Sequence, residues 1–224
     1  MKTLNHLFEK NRQWANDVKK ESPQFFTELS KQQKPHCFWI GCCDSRVPAN
    51  QIIGSMPGDV FVHRNIANIV NSSDMNCMSA LQYAVDVLQV EHVILCGHYG
   101  CGGVKAAVQG EGHDLIDYWI WDVKRVFIRY EDLLSQLSPD QGALMMCELN
   151  VIEQVYKLGR TKVVREAWGR GQSLNIHGWV YGLDNGLLQE VVTNITQLAD
   201  VKRLYKVAVT AVTQKYLPAI TKQG

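Results

Sequence analysis

The sequence predicts an α/β fold built on a central, mostly parallel β-sheet flanked by helices. Two observations carry that reading. Cys37-Phe38-Trp39-Ile40-Gly41-Cys42 and Val93-Ile94-Leu95-Cys96-Gly97 are continuous apolar runs, which suit strands covered on both faces. Longer segments with helical spacing separate such runs, and strand-helix alternation is the pattern of parallel sheets. At 224 residues the chain supports one sizeable core rather than two large domains. We therefore expect a single domain over 1–224, with a helical arm at 1–34, an α/β core at 35–190 and a C-terminal helical region at 191–224.

Each element has its own signal. Leu4, Leu7, Phe8, Trp14, Ala15 and Val18 form an apolar stripe at helical spacing over 3–19, and a second short helix follows Pro23 through Phe25, Phe26 and Leu29. The strand 37–42 comes next, then a strand at 59–63 after the Pro57-Gly58 turn. Residues 76–88 read as a buried helix, with Ser72, Ser73 or Asp74 as N-cap. The strand 92–97 follows, then a helix starting near 103, and helices at about 116–134 and 140–158. Gly159 stands where a C-terminal glycine cap is expected. Alternation from Leu174 to Val180 predicts a fourth strand, and 197–216 a terminal helix.

Composition excludes several functions. Lys and Arg number 23 against 22 Asp and Glu, a net charge of +1, and no basic run exceeds Lys19-Lys20. That leaves no electrostatic footprint for nucleic acid. No stretch approaches the roughly 20 apolar residues that span a bilayer. Glu9, Arg12, Asp17, Lys19 and Lys20 interrupt the first twenty residues, so no secretory apolar segment is present and a mature cytoplasmic protein is expected. The seven cysteines are odd in number, in a chain too large to need stapling, so metal binding and burial explain them better than disulfides.

Two short clusters terminate two of the strands. Cys42-Cys43-Asp44-Ser45-Arg46 follows 37–42, and His98-Tyr99-Gly100-Cys101-Gly102-Gly103 follows 92–97. In an open α/β sheet, ligands sit beyond the carboxyl ends of the strands. If these two strands lie close together, Cys42, Asp44, His98 and Cys101 converge from two sides. Thiolate, imidazole and carboxylate are zinc ligands, whereas magnesium and calcium require oxygen cages. One zinc ion per chain is the expected cofactor.

Cys42-x-Asp44-x-Arg46, His63-Arg64-Asn65 and His98-x-x-Cys101-Gly102-Gly103 together resemble the signature of β-class carbonic anhydrases. The likeness runs from the N-terminal helices through Gly159-Arg160-Thr161 to His177-Gly178-Trp179. It implies reversible hydration of carbon dioxide to bicarbonate and a proton through zinc-bound hydroxide. It also implies a homodimer or dimer-built tetramer in which the N-terminal helices embrace a second copy. Gln33 and Tyr83 would approach the site from that copy. The motif register selects Cys42 over its neighbour Cys43 as the metal thiol.

A catalytic zinc keeps one position open, and four protein ligands would close it. Arg46 lies two residues beyond Asp44, within reach of a bidentate pair with the carboxylate. Asp44 on the metal would then be the inactive state and Asp44 on Arg46 the active one, with activity rising above neutral pH. Gly102 and Gly103 are candidate backbone donors to a bicarbonate oxygen at a helix start, or sites of close packing. Val47 and Ile66 are candidates for an apolar wall around carbon dioxide. Some family members use a Trp-Arg-Tyr trio to bind regulatory bicarbonate, and Trp39, Arg64 and Tyr181 occupy the matching positions. His36, His92, His113 and His177 read as satisfied or solvent-facing, and Cys77, Cys96 and Cys147 as core. The rivals are a non-catalytic zinc-stabilised binding module, thiol redox chemistry at Cys42-Cys43, and a same-fold hydrolase of carbonyl sulfide or carbon disulfide.

Overall fold

The computed structural model describes residues 4–110 and 114–218, so His113 lies outside the described residues. The chain forms two compact units, dividing after Lys34. In the first unit, α1 (Asn5–Glu21) and α2 (Phe25–Lys31) meet where Trp14 packs edge-on to Phe26, ring centroids 5.7 Å apart. Leu4, Leu7, Phe8 and Trp14 of the apolar stripe remain exposed.

The second unit is a five-stranded sheet in the order β2-β1-β3-β4-β5. Its strands are β1 (Cys37–Cys42), β2 (Val60–Asn65), β3 (His92–His98), β4 (Asn175–Tyr181) and β5 (Leu188–Ile195). The first four run parallel, and β5 pairs antiparallel with β4. The two strands preceding the motif clusters, β1 and β3, are direct neighbours in register, Cys37 opposite His92 and Gly41 opposite Cys96. Every β1 side chain is buried, as an all-apolar strand requires.

Between the strands come α3 (Ala49–Ile52), a 3₁₀ turn at Ile66–Asn68, α4 (Met75–Gln82), α5 (Gly102–Gln109), α6 (Leu115–Leu134), α7 (Pro139–Leu158) and α8 (Lys162–Gly169), with α9 (Leu198–Tyr216) after β5. The main core joins Phe38 and Ile40 of β1 to Val93 and Leu95 of β3 and to α4 through α9. A smaller cluster on the opposite sheet face holds Cys37, Trp39, Ile94 and Cys96, with Trp179 and Tyr181 packed on it.

Helix α7 runs through this core and is buried nearly all round. Alongside Met145, Met146, Leu149, Ile152 and Val155 it buries Glu148, Asn150, Glu153 and Gln154. Buried polar groups require partners, and these find theirs in other elements. Arg129 and Tyr205 converge on Glu153. Asn150 and Gln154 reach the loop after β2.

Three expectations are corrected. Residues 191–195, assigned to a helical region, belong to β5, where Val192 and Ile195 face the core and the residues between them face solvent. The helix predicted over 76–88 changes to a π-helical turn at Tyr83–Val87. Asp74 is its cap, accepting the Asn76 N–H at 3.0 Å. Gly159 is not a left-handed cap, since its φ is −63°. A Cβ there would lie 2.8 Å from Val201 Cγ2, so glycine is needed where α9 crosses the end of α7.

Candidate metal centre

Strands β1 and β3 deliver Cys42 and His98 to the same sheet edge, and Cys101 follows three residues on. The ligand atoms of these three buried residues all lie within 4.8 Å of one another. The two sulfurs are 3.8 Å apart, which matches the separation of about 3.8 Å that two thiolates adopt around a tetrahedral zinc at about 2.3 Å each. His98 donates from Nδ1 to the Tyr99 carbonyl at 2.9 Å. A carbonyl only accepts, so this bond fixes the tautomer and leaves the Nε2 lone pair free. That Nε2 is buried without a hydrogen-bond partner among the described residues. An orphaned imidazole nitrogen facing two sulfurs fits a zinc ion.

Backbone donors surround the thiols. Cys42 Sγ accepts from the Asp44 N–H at 3.4 Å and from Ala67, and Cys101 Sγ accepts from Val104 in the first turn of α5. The proton of Cys101 hydrogen-bonds to Cys42 and holds Cys42 well below the usual thiol range against the effect of burial. The same bond, with burial, pushes Cys101 up. One proton shared between two sulfurs is what a divalent cation would displace.

Asp44 stands beside the cluster and is turned away from it. Arg46 binds its carboxylate with both arms, Nε to Oδ1 at 2.9 Å and Nη2 to Oδ2 at 2.7 Å, while the Arg46 N–H adds a third bond at 2.9 Å. The Arg46 side-chain bond, opposed by slight burial, holds Asp44 well below the usual carboxylate range. Its Oδ2 is 3.7 Å from His98 Nε2, so a small rotation separates the two positions.

The remaining expected residues fall into groups. Val47 is buried, its N–H bonded to the Asp44 carbonyl at 3.0 Å, whereas Ile66 is 37% exposed. A Cβ on Gly103 would lie 2.7 Å from Ile66 Cγ2, so Gly103 is a close-packing glycine; Gly102 faces open space at the helix start. Arg64 donates to the Cys42 carbonyl at 2.8 Å and the Asp44 carbonyl at 2.5 Å, clamping the metal loop from β2. Trp39 is buried and Tyr181 half-buried in the smaller cluster. Tyr83 is exposed, 5.8 Å from the Phe61 ring, and Gln33 is exposed at the end of the N-terminal unit. Cys77, Cys96 and Cys147 are buried, and Cys43 is exposed. His92 and His177 pair at 3.1 Å.

Sequence reasoning missed the supports. Ala67 and Asn68 adopt left-handed backbone, φ 62° and 47°, an uncommon conformation for residues with a Cβ. Asn150 donates to the Ala67 carbonyl at 3.0 Å, and Gln154 bonds both Asn150 and the Val70 N–H at 3.0 Å. The only signal of these residues in the sequence was the density of amides in the otherwise apolar stretch 145–155.

A second trio, His63, Asp74 and Cys77, also gathers within 4.8 Å. The Asn65 amide is oriented by its bonds to both Ile69 backbone groups, so its Nδ2 donates to His63 Nε2 at 3.2 Å. Asp74 caps α4, and burial pushes the Cys77 thiol up to about 12. These groups tie β2 to the start of α4.

The carbonic anhydrase family model matches residues 37–188. A carbonic anhydrase of Emericella nidulans is 40% identical over 205 residues, covering 91% of this chain and 90% of that protein. The solved β-carbonic anhydrase of Coccomyxa, in complex with acetazolamide, superposes with a TM-score of 0.88 at 37% identity over 94% of this chain and 98% of that one. A tetrameric β-carbonic anhydrase of Sordaria macrospora gives 0.82 at 34% identity, over 88% and 100%. With its paired strands, its Cys-His-Cys cluster and these relatives, the chain belongs to the β-class carbonic anhydrase family.

Proposed function

We propose that the chain hydrates carbon dioxide reversibly to bicarbonate and a proton on a zinc ion held by Cys42, His98 and Cys101, with Asp44 as a fourth, releasable ligand. The observation that carries this reading is the unpartnered His98 Nε2 facing two sulfurs while Asp44, 3.7 Å away, is engaged by Arg46. When bound, zinc supplies a Lewis acid that brings the ionisation of water toward neutral pH. Asp44 on Arg46 leaves the fourth direction open and keeps a carboxylate oxygen beside it to accept a hydrogen bond. Asp44 released from Arg46 closes that direction. Val47 and Ile66 line the approach with apolar surface, and the positive end of α5 at Gly102 and Gly103 favours the anionic product.

Bicarbonate regulates this switch through Trp39, Arg64 and Tyr181. An anion drawn to Arg64 competes with the Cys42 and Asp44 carbonyls for its guanidinium, and so loosens the turn that carries Asp44. The exposed Leu7, Phe8 and Trp14 of α1 support association with a second copy, which supplies Gln33 and Tyr83 to the neighbouring site. The assembly is a homodimer or homotetramer, and the protein acts in the cytoplasm.

Metal analysis together with stopped-flow indicator measurements of carbon dioxide hydration tests the proposal. About one zinc per chain and turnover at pH 8–9 are expected from a zinc-activated water. Zinc without turnover would instead support a binding module.

A further inference from the structure

Helix α7 carries a carboxylate, Glu148, that is 1% exposed and takes no part in the chemistry above. Three donors converge on its Oε1: the Tyr99 hydroxyl at 2.7 Å, the Tyr216 hydroxyl at 2.7 Å and the Lys215 ammonium at 2.6 Å. A buried carboxylate is costly unless paired and fully hydrogen-bonded. Lys215 is the cation that balances it, and both Lys215 and Tyr216 come from the last turn of α9.

The third donor connects this cluster to the metal centre. Tyr99 directly follows His98, and its carbonyl accepts the His98 Nδ1–H. Its own N–H donates to the Tyr181 carbonyl at 3.0 Å, so its backbone is fixed from β4 while its ring is fixed by Glu148. Gln189 of β5 adds a contact to the hydroxyl at 3.2 Å. Cys147, beside Glu148, accepts the N–H groups of Gly100 and Cys101. Two successive residues of α7 therefore grip Tyr99, Gly100 and Cys101, the segment that runs from His98 through the second thiol.

We infer that Lys215 and Tyr216 are positioning residues for the metal centre: by neutralising and orienting Glu148 they hold Tyr99, and through the Tyr99 carbonyl they aim His98 Nε2. The inference rests on the zinc reading proposed above. Without Lys215, Glu148 keeps its hydroxyl donors but loses its counter-charge. The carboxylate then loses one of its three hydrogen bonds along with its charge partner, and its bond to Tyr99 changes. The carbonyl that orients the imidazole shifts with the ring. A helix end with no atom at the site thus sets how tightly the metal is held.

The test uses the full-length protein and its Lys215→Met, Lys215→Arg and Tyr216→Phe variants. Lys215 is half exposed, so its replacement leaves the core packing intact. Zinc content is measured first, then the rate of zinc transfer to a colorimetric chelator, the visible spectrum of the cobalt-substituted protein, and thermal unfolding after metal removal. Outer partners of metal-bound histidines change affinity about 10- to 100-fold, so Lys215→Met should release zinc about tenfold faster and shift the cobalt bands. Tyr216→Phe should move both readouts in the same direction, and Lys215→Arg should restore them. A wild-type protein that binds no zinc would overturn the metal reading and this inference together. If wild type holds zinc and Lys215→Met releases it at the wild-type rate with unchanged cobalt bands, the inference alone fails, even if the metal-free variant melts earlier.

Discussion

Asn150→Ala isolates the support beneath the first thiol. Asn150 is 1% exposed, donates to the Ala67 carbonyl at 3.0 Å and accepts from Gln154 at 3.0 Å. Truncation leaves both partners buried and unsatisfied. Each such group costs about 1–3 kcal/mol, so the sum is about 2–6 kcal/mol. For a chain of this size 1 kcal/mol moves the melting temperature by about 2–4 °C, and a central loss of about 4 kcal/mol lowers it by about 8–16 °C. Ala67 also donates its N–H to Cys42 Sγ from a left-handed backbone. Once its carbonyl is free that geometry relaxes, and zinc should leave faster as well. Ala67→Gly is the contrast, because it keeps every backbone bond and removes the Cβ penalty, and should alter stability by no more than about 1 kcal/mol. Scanning calorimetry on the zinc-loaded and stripped proteins reads both effects. An Asn150→Ala protein melting within about 2 °C of wild type would refute the reasoning.

Other consequences are open to measurement. Arg46→Ala frees Asp44 to face His98 and should lower kcat/KM for carbon dioxide about 10- to 100-fold, while Arg46→Lys, unable to form the two-armed pair, should fall between; full activity in Arg46→Ala would remove the switch. A thiol reagent should label one cysteine per native chain rapidly, since Cys43 alone is exposed, and Cys43→Ser should abolish that fast phase. Burial, then the neighbouring His92, lowers the proton affinity of folded His177 below its ordinary value of 6.5. The unfolded chain therefore takes up a proton that the folded chain resists. This contribution to stability is complete above pH 6.5 and declines as pH falls from there. Melting temperature measured from pH 7.5 to 5.5 should drop more steeply for wild type than for His177→Gln; equal slopes would exclude His177 as a source.

Strand β1 was legible to the residue because six consecutive buried positions leave no periodicity to misread. The gathering of Cys42, His98 and Cys101 was legible because they stand at or just beyond the ends of two such strands, so that chain direction alone brings them to one edge. Strand β5 was missed: Gln189, Glu190, Thr193 and Asn194 give it the polarity of a loop, and it earns its place as the sheet's antiparallel edge. Helix α8 was missed because its eight residues are too short to repeat a stripe, although Val163, Val164, Ala167 and Trp168 are apolar and Thr161 caps it through its hydroxyl. Gly159 was recognised for the wrong reason, since its cause, Val201, lies in another helix. Asn150, Gln154, Glu148 and Lys215 share that difficulty. Each works through a partner remote in sequence, and no local pattern marks a hydrogen bond to a distant loop.

The adjacency of β1 and β3 inside the sheet gives the ion a second office. Because one half of its grip grows from each strand, the halves separate only when the sheet is torn open between β1 and β3, in its interior. A bound cation is therefore a rivet through the centre of the molecule, contributing about 4 kcal/mol when free metal stands at a thousand times its dissociation constant. Chelators should act on this protein as mild denaturants, lowering its melting temperature by about 8–16 °C as they strip the ion.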